Sequence, residues 1–285
     1  MSAVALRRID AAFAAMPGDS GVVERAVASG APVAAIEALS QSWNHLDDES
    51  RGLIRDPLAR TSDAVVHWGR VTAVQVDSTA CGAAVAAMMT MIADPFVAGW
   101  VGAGQRASWF TPAEVAAVKA RTESAQLSTI GDRWDGLQRV MQARARSHGL
   151  GVFPWVRAWG TPPWRVKAMV RFASVHFRSA IVDDSRGDER DGLVTQVRAA
   201  VADGIPVPLF VGGDSRRGLR TVVPRHVVLV VAADGENFRV YEPSAGALGT
   251  WQPYRAGYPA QQALGGWNRV MWAVLPSWRR DCVPH

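Results

Sequence analysis

Lysine is almost absent from this chain. Of its 31 Lys and Arg residues only Lys119 and Lys167 are lysines, and the arginines are scattered in groups no denser than pairs such as Arg7-Arg8, Arg216-Arg217 and Arg279-Arg280. The formal charge of +5 therefore comes without a basic tract or an aromatic–basic repeat of the kind that grips phosphates, and no nucleic-acid partner is expected. Cysteine is scarce as well, with Cys81 and Cys282 alone, which excludes a disulfide scaffold and a cysteine-rich zinc site. No HExxH and no paired His–carboxylate spacing is present, so neither a metal nor a cofactor is expected. Long apolar runs are missing too: nothing approaches the roughly 20 residues of a membrane-spanning helix. Near the N-terminus Arg7, Arg8 and Asp10 interrupt the apolar pattern before a secretory core forms. These absences lead to the expectation of a cytoplasmic chain with no membrane partner; its oligomeric state stays open.

What is present is apolar surface. Of 285 residues 48% are hydrophobic, enough for a sizeable core, and a wholly disordered chain is excluded. Ala-rich stretches from Val4 to Ala15 and from Val22 to Leu39, separated by Pro17-Gly18-Asp19, predict helices. We read residues 1–65 as a helical N-terminal extension and 66–285 as the main domain. From Val71 a short extended run leads through a Ser/Thr turn into a stretch from Cys81 to Ala93 that is apolar on every side, a buried helix ended by Asp94-Pro95. A further helix is expected to start at Thr111-Pro112-Ala113-Glu114, with Thr111 as cap, Pro112 in the first turn and Glu114 completing a capping box, and another after Pro162-Pro163. Leu193 to Ala202 reads as a helix. After it Pro206–Val211, His226–Ala232, Phe238–Tyr241 and Val270–Leu275 read as strands, with Asp234-Gly235 as a hairpin turn. Helices first and an antiparallel sheet later make an α+β fold.

The chemistry centres on a thiol. At a helix N-terminus unpaired N–H groups and the helix dipole favour a thiolate, and Cys81 sits where the extended run becomes the buried helix. Its own N–H faces a developing oxyanion, and Gln75, six residues earlier, offers a side-chain amide as a second donor. A thiol also needs a base, and the base an orienting group. His226 opens a strand and Glu242 ends the next one across the Asp234-Gly235 turn, so both fall near one end of an antiparallel ladder, where a carboxylate can fix the imidazole tautomer. His67 is the reserve base. Trp251 is placed to shield the His–Glu pair from water. Trp155, Trp159 and Trp164 are read as packing, or as a cleft wall, and Asp183-Asp184 with Asp188-Glu189 as a solvated acidic loop. The Gly212–Arg220 segment is a surface connection, or a lid whose Arg216, Arg217 and Arg220 meet an acidic partner.

These residues resemble a known family. Gln75 with Cys81 six positions on, Cys81-Gly82 opening a buried helix, and a late His strand followed by Tyr241-Glu242-Pro243 resemble the papain-like cysteine peptidases. The nearest branch is the bacteriocin-leader-processing (double-glycine) peptidases and their bacterial relatives. There a helix and a Gly-x-Pro-Val turn precede the His strand, as Leu193–Ala202 and Gly204-Ile205-Pro206-Val207 do here. The likeness spans roughly Val71 to Pro276. It implies a papain-like fold with Cys81 as nucleophile, His226 as general base and then acid, Glu242 as orienting group and Gln75 as oxyanion donor. Glu242 stands where Asp or Asn is commoner, and Arg225 where Gly is commoner before the histidine. The implied activity is hydrolysis of amide or isopeptide bonds in a peptide or protein substrate. An acyltransferase or transglutaminase-like enzyme with the same residues, or a degenerate binding module, are the alternatives.

Overall fold

The computed structural model describes residues 2–59, 64–107, 109–147, 161–213, 226–256 and 259–277. Arg225, Cys282, Trp155, Trp159 and the arginines of the expected lid lie outside them. Among the described residues there are ten α-helices and a six-stranded antiparallel sheet, an α+β fold. The chain divides into two compact units.

The first unit comprises Met1–Thr72, Ala87–Val140 and Arg171–Ser174. Its helices begin where the sequence provides caps. Helix α1 (Ala3–Ala15) is opened by Ser2, whose Oγ accepts from Ala5 N at 3.2 Å. Helices α2 (Ser20–Ala28) and α3 (Val33–Ser42) replace the single helix expected over 22–39. The break falls at Gly30-Ala31-Pro32, where Gly30 takes a positive φ of 78° and Pro32 cannot continue a helix. In α4 (Asp48–Arg55) the Asp47 side chain caps Ser50 N at 2.7 Å, and Asp48 and Glu49 lie in the dipole-favoured first turn. Met16, Val22, Val23, Ile36, Leu39 and Trp43 form its buried centre together with Ile54 and Phe96.

A short hairpin, β1 (His67–Trp68) with β2 (Val71–Thr72), follows α4. Helix α5 (Cys81–Ala93) leads into α6 (Pro95–Ala103), whose first turn is capped by Asp94 onto Phe96 N at 2.9 Å. The expected cap at α7 (Ala113–Lys119) is not formed: Pro112 occupies the N-cap position and no side chain bonds there. Glu114 is instead buried, and with buried Asp94 it pairs with Arg171, which also donates to Ser29 O at 2.9 Å. Helix α8 (Ile130–Arg146) was not expected, although Trp134, Leu137, Val140, Met141 and Ala145 recur at helical spacing, and it buries Trp134 edge-on against Trp68 with centroids 5.2 Å apart.

The second unit comprises Ala73–Ala86, Met141–Val170 and Val175–His285. Its strands are β3 (His176–Ile181), β4 (Val207–Gly212), β5 (His226–Asp234), β6 (Asn237–Glu242), β7 (Ala247–Trp251) and β8 (Arg269–Ser277), in the order β3-β8-β4-β5-β6-β7. Strands β4 and β5 occupy the middle of the sheet and read as near-continuous Val/Leu/Phe runs because both of their faces are buried. The two edge strands, β3 and β7, were not legible, since each mixes exposed and covered positions. Helix α9 (Pro163–Met169) precedes β3. Helix α10 (Gly187–Ala202) starts earlier than expected and packs on β4, β5 and β8 through Leu193, Val194, Val197 and Ala200, an i, i+1, i+4, i+7 face. Asp184 is not solvated: it is 7% exposed and accepts from Val270 N at 2.8 Å, tying the turn before α10 to β8.

Candidate functional site

Cys81, His226, Glu242 and Gln75 all belong to the second unit. The hairpin places the first pair. Strands β5 and β6 are antiparallel, with Asp234 opposite Asn237 and Leu229 opposite Tyr241, and a bulge between Val230 and Ala232 adjusts the register. His226 and Glu242 therefore meet at the end of the ladder away from the turn, and His226 Nε2 lies 2.5 Å from Glu242 Oε1. Both side chains are buried.

Glu242 is held from behind by its own turn. Oε1 also accepts from Ser244 N at 2.9 Å and Ser244 Oγ at 2.6 Å, while Oε2 accepts from Ala245 N at 2.8 Å. These bonds are local, two and three residues on, and a carboxylate that accepts several N–H and O–H groups is held in its charged form. Burial pushes the Glu242 carboxyl up, but the bonds from His226 and Ser244 and the imidazolium charge outweigh it and bring it to about 2. Burial likewise pulls the His226 imidazole down. Hydrogen bonding and charge from Cys81 first, and from Glu242 second, overcome that and hold it up at about 9. With Nε2 occupied by Glu242, Nδ1 is the ring nitrogen left for the thiol.

Cys81 is 5% exposed and opens α5, as expected. The turn before it is built by Asp77, whose Oδ1 accepts from Thr79 N at 2.8 Å and Thr79 Oγ1 at 2.7 Å while its carbonyl accepts from Ala80 N at 3.1 Å. The Ala80 carbonyl then takes Ala84 N at 2.8 Å, so Ala80 is the helix cap and Cys81 the first helical residue. Its N–H is one of the four that a helix start leaves without an intrahelical acceptor. Gln142, from α8, reaches this turn and donates to Thr79 Oγ1 at 3.0 Å.

Gln75 is fastened more firmly than its expected role required. Its backbone N–H donates to Pro243 O at 2.8 Å and its side-chain Nε2 to Asp77 O at 2.8 Å, leaving one side-chain N–H uncommitted. Its Oε1 is buried with no hydrogen-bond partner among the described residues. Just upstream, Ala73 O accepts from the phenol of Tyr241, 2.5 Å away. The segment leading to Cys81 is thus bonded to residues on both sides of Glu242. Tyr241 is fully buried, and burial, followed by the nearby Glu242 charge, pushes its hydroxyl pKa far up, so it stays a donor.

Two glycines complete the site: Gly82, legible in the Cys81-Gly82 pair, and Gly265, which carried no signal in the sequence. A Cβ on Gly265, which has φ +64°, would stand 2.6 Å from His226 Cδ2 and 3.0 Å from Nε2, so the bare backbone there lies directly against the imidazole. A Cβ on Gly82 would stand 2.5 Å from Thr161 Cβ. Trp251 does not cover the His–Glu pair: it lies opposite Phe238 in the β6–β7 register, away from Glu242, and stacks on that ring with centroids 5.3 Å apart. Trp164 packs edge-on against Trp272. His67, the reserve base, belongs to the first unit and lies with Nδ1 3.3 Å from Thr72 Oγ1.

Among the described residues no three His, Cys, Asp or Glu side chains are grouped to hold a metal ion, and no single helix is long and apolar enough to cross a membrane. No family model matches this chain, and no curated protein is significantly similar to it.

Proposed function

We propose that this chain is a cysteine-dependent hydrolase of amide or isopeptide bonds, papain-like in arrangement, acting on a peptide or protein. The observation that carries the reading is the orientation of His226. Its Nε2 faces a buried carboxylate held at about 2, and the ring is held at about 9 with Cys81 as the first of the groups raising it. An imidazolium so held keeps its proton through neutral pH and supplies the counter-charge that a nucleophilic sulfur at a helix start requires.

In the proposed reaction Cys81 Sγ attacks the carbonyl carbon and a C–S bond forms. The Cys81 N–H, with the remaining Gln75 N–H, stabilises the oxyanion. His226 gives its proton to the leaving amine as the C–N bond breaks, and the acyl group stays on sulfur as a thioester. Water then loses a proton to His226 and attacks the same carbon. The C–S bond breaks and the carboxylic acid product leaves. Glu242 stays ionised throughout and fixes the ring.

The test is alkylation by iodoacetamide near pH 6.5, read at Cys81 by mass spectrometry, with the chain in urea as the reference for an unassisted thiol. We expect Cys81 to react faster in the folded chain than in urea, and His226→Ala to remove the difference. Equal rates in the two states, or a fast rate that survives His226→Ala, overturns the reading. Hydrolysis of fluorogenic peptides should then depend wholly on Cys81, with Cys81→Ala keeping its thermal transition.

A further inference from the structure

The first unit holds a cavity of about 260 Å³ lined by Trp100, Gly104, Arg106, Lys119, Ser124 and Arg133, among others. Three cationic side chains line it, and no carboxylate does. Arg133 is the unusual member. It is 6% exposed, and among the described residues its guanidinium is bonded only to backbone carbonyls: Nε to Val101 O at 2.8 Å, Nη1 to Leu127 O at 3.0 Å and Ser128 O at 2.9 Å, and Nη2 to Gly102 O at 3.0 Å. A guanidinium has five N–H donors, so four are used and one on Nη2 remains. Gly104 permits this packing, since a Cβ there would lie 3.0 Å from Nη1.

A buried cation ordinarily faces a buried anion. Here no ion pair reaches Arg133 among the described residues. The neighbouring carboxylate, Asp132, takes Thr129 N at 2.9 Å, Thr129 Oγ1 at 2.7 Å and Ser128 Oγ at 3.3 Å. The carbonyl ends of α6 and of the 3-10 turn Ser124–Leu127 stabilise Arg133 as dipoles and do not neutralise it. Lys119 is exposed at the cavity and has no ion pair among the described residues, while Arg106 shares its Nη2 with Asp47 at 2.8 Å. The Ser124 hydroxyl, with no hydrogen-bond partner among the described residues, adds a donor on the same wall.

We propose that this cavity is an anion site for a phosphate group, free or on a small phosphate monoester. Two cations in no ion pair among the described residues and a third that is shared suit a dianion better than a single carboxylate, and the space exceeds one phosphate, leaving room against Trp100 for a small organic remainder. The site is separate in chain and chemistry from the thiol.

Equilibrium dialysis of the full chain against radiolabelled inorganic phosphate at constant ionic strength tests it, with glycerol 3-phosphate and acetate as competitors. Because Arg133 also closes two helical ends, the variants are placed on the exposed residues, Lys119→Glu and Arg106→Gln. We expect saturable binding of one phosphate per chain, displaced by glycerol 3-phosphate and not by equal acetate. Lys119→Glu should weaken it at least tenfold and Arg106→Gln less, with Cys81 alkylation unchanged in both. Absence of saturable binding, unchanged affinity in Lys119→Glu, or acetate competing as well as phosphate overturns the proposal.

Discussion

Replacing Glu242 by Gln tests the centre of the site, because the side chain keeps its shape and loses its charge. In the native chain the carboxylate accepts from four donors: His226 Nε2, Ser244 N and Oγ on one oxygen, and Ala245 N on the other. An amide has one acceptor oxygen, so either orientation turns an N–H group toward one of these donors. Breaking one side of a buried charged pair costs about 3–5 kcal/mol. The protonation equilibria lead to a similar size, since holding an imidazole at about 9 in place of 6.5 is worth about 3 kcal/mol, part of which comes from Cys81. Because the folded-state value is raised, this stabilisation is fully present below pH 6.5 and fades as pH rises through about 9. The Glu242 value is depressed, so its share is fully present above 4.5 and is lost only as pH falls through about 2. The penalty of Glu242→Gln, read by urea unfolding, should therefore be about 3 kcal/mol at pH 6 and markedly smaller at pH 9.5. A penalty of the same size at both pH values would refute an imidazolium–carboxylate pair and leave only a neutral hydrogen bond.

Gly265→Ala should push the imidazole off its partner and strain a φ of +64°, costing about 1–3 kcal/mol; slow Cys81 alkylation with a retained thermal transition is the expected result, and wild-type alkylation would contradict it. Tyr241→Phe leaves the Ala73 carbonyl without its phenol donor and should cost about 1–3 kcal/mol in urea unfolding. Arg171→Ala strands the buried carboxylates of Asp94 and Glu114. It should destabilise the chain by about 3 kcal/mol at pH 7 and by less near pH 4, because burial raises the Asp94 value and acid begins to neutralise that group there; unfolding at the two pH values decides it.

The parts of the site legible in the sequence were those set by short-range rules. A turn at Asp234-Gly235 brings residues 226 and 242 toward one end of two strands, with the register then adjusted by the bulge between Val230 and Ala232. A Ser/Thr turn before an apolar run marks Cys81 as a helix start. The central strands were readable because burial on both faces demands unbroken Val, Leu and Phe. Helix α10 was only half readable, because its first two turns are charged and exposed and carry no periodicity. The edge strands β3 and β7 gave no alternation, and α7 misled because Thr111-Pro112-Ala113-Glu114 has the spelling of a capping box, while Glu114 is taken by a buried ion pair with Arg171.

By itself, then, the sequence determined an α+β chain and the order of thiol, imidazole and carboxylate along it, since turns and helix starts depend on a few adjacent residues. Tertiary structure alone decided which ring nitrogen meets Glu242, that Gly265 must lack a side chain, that Tyr241 and Pro243 fasten the segment leading to Cys81, and that Arg133 is buried with its guanidinium on backbone carbonyls. Tyr241 and Ala73 are 168 residues apart. No local propensity reports such a pairing, because the free energy that selects it comes from burying the donor and the acceptor together.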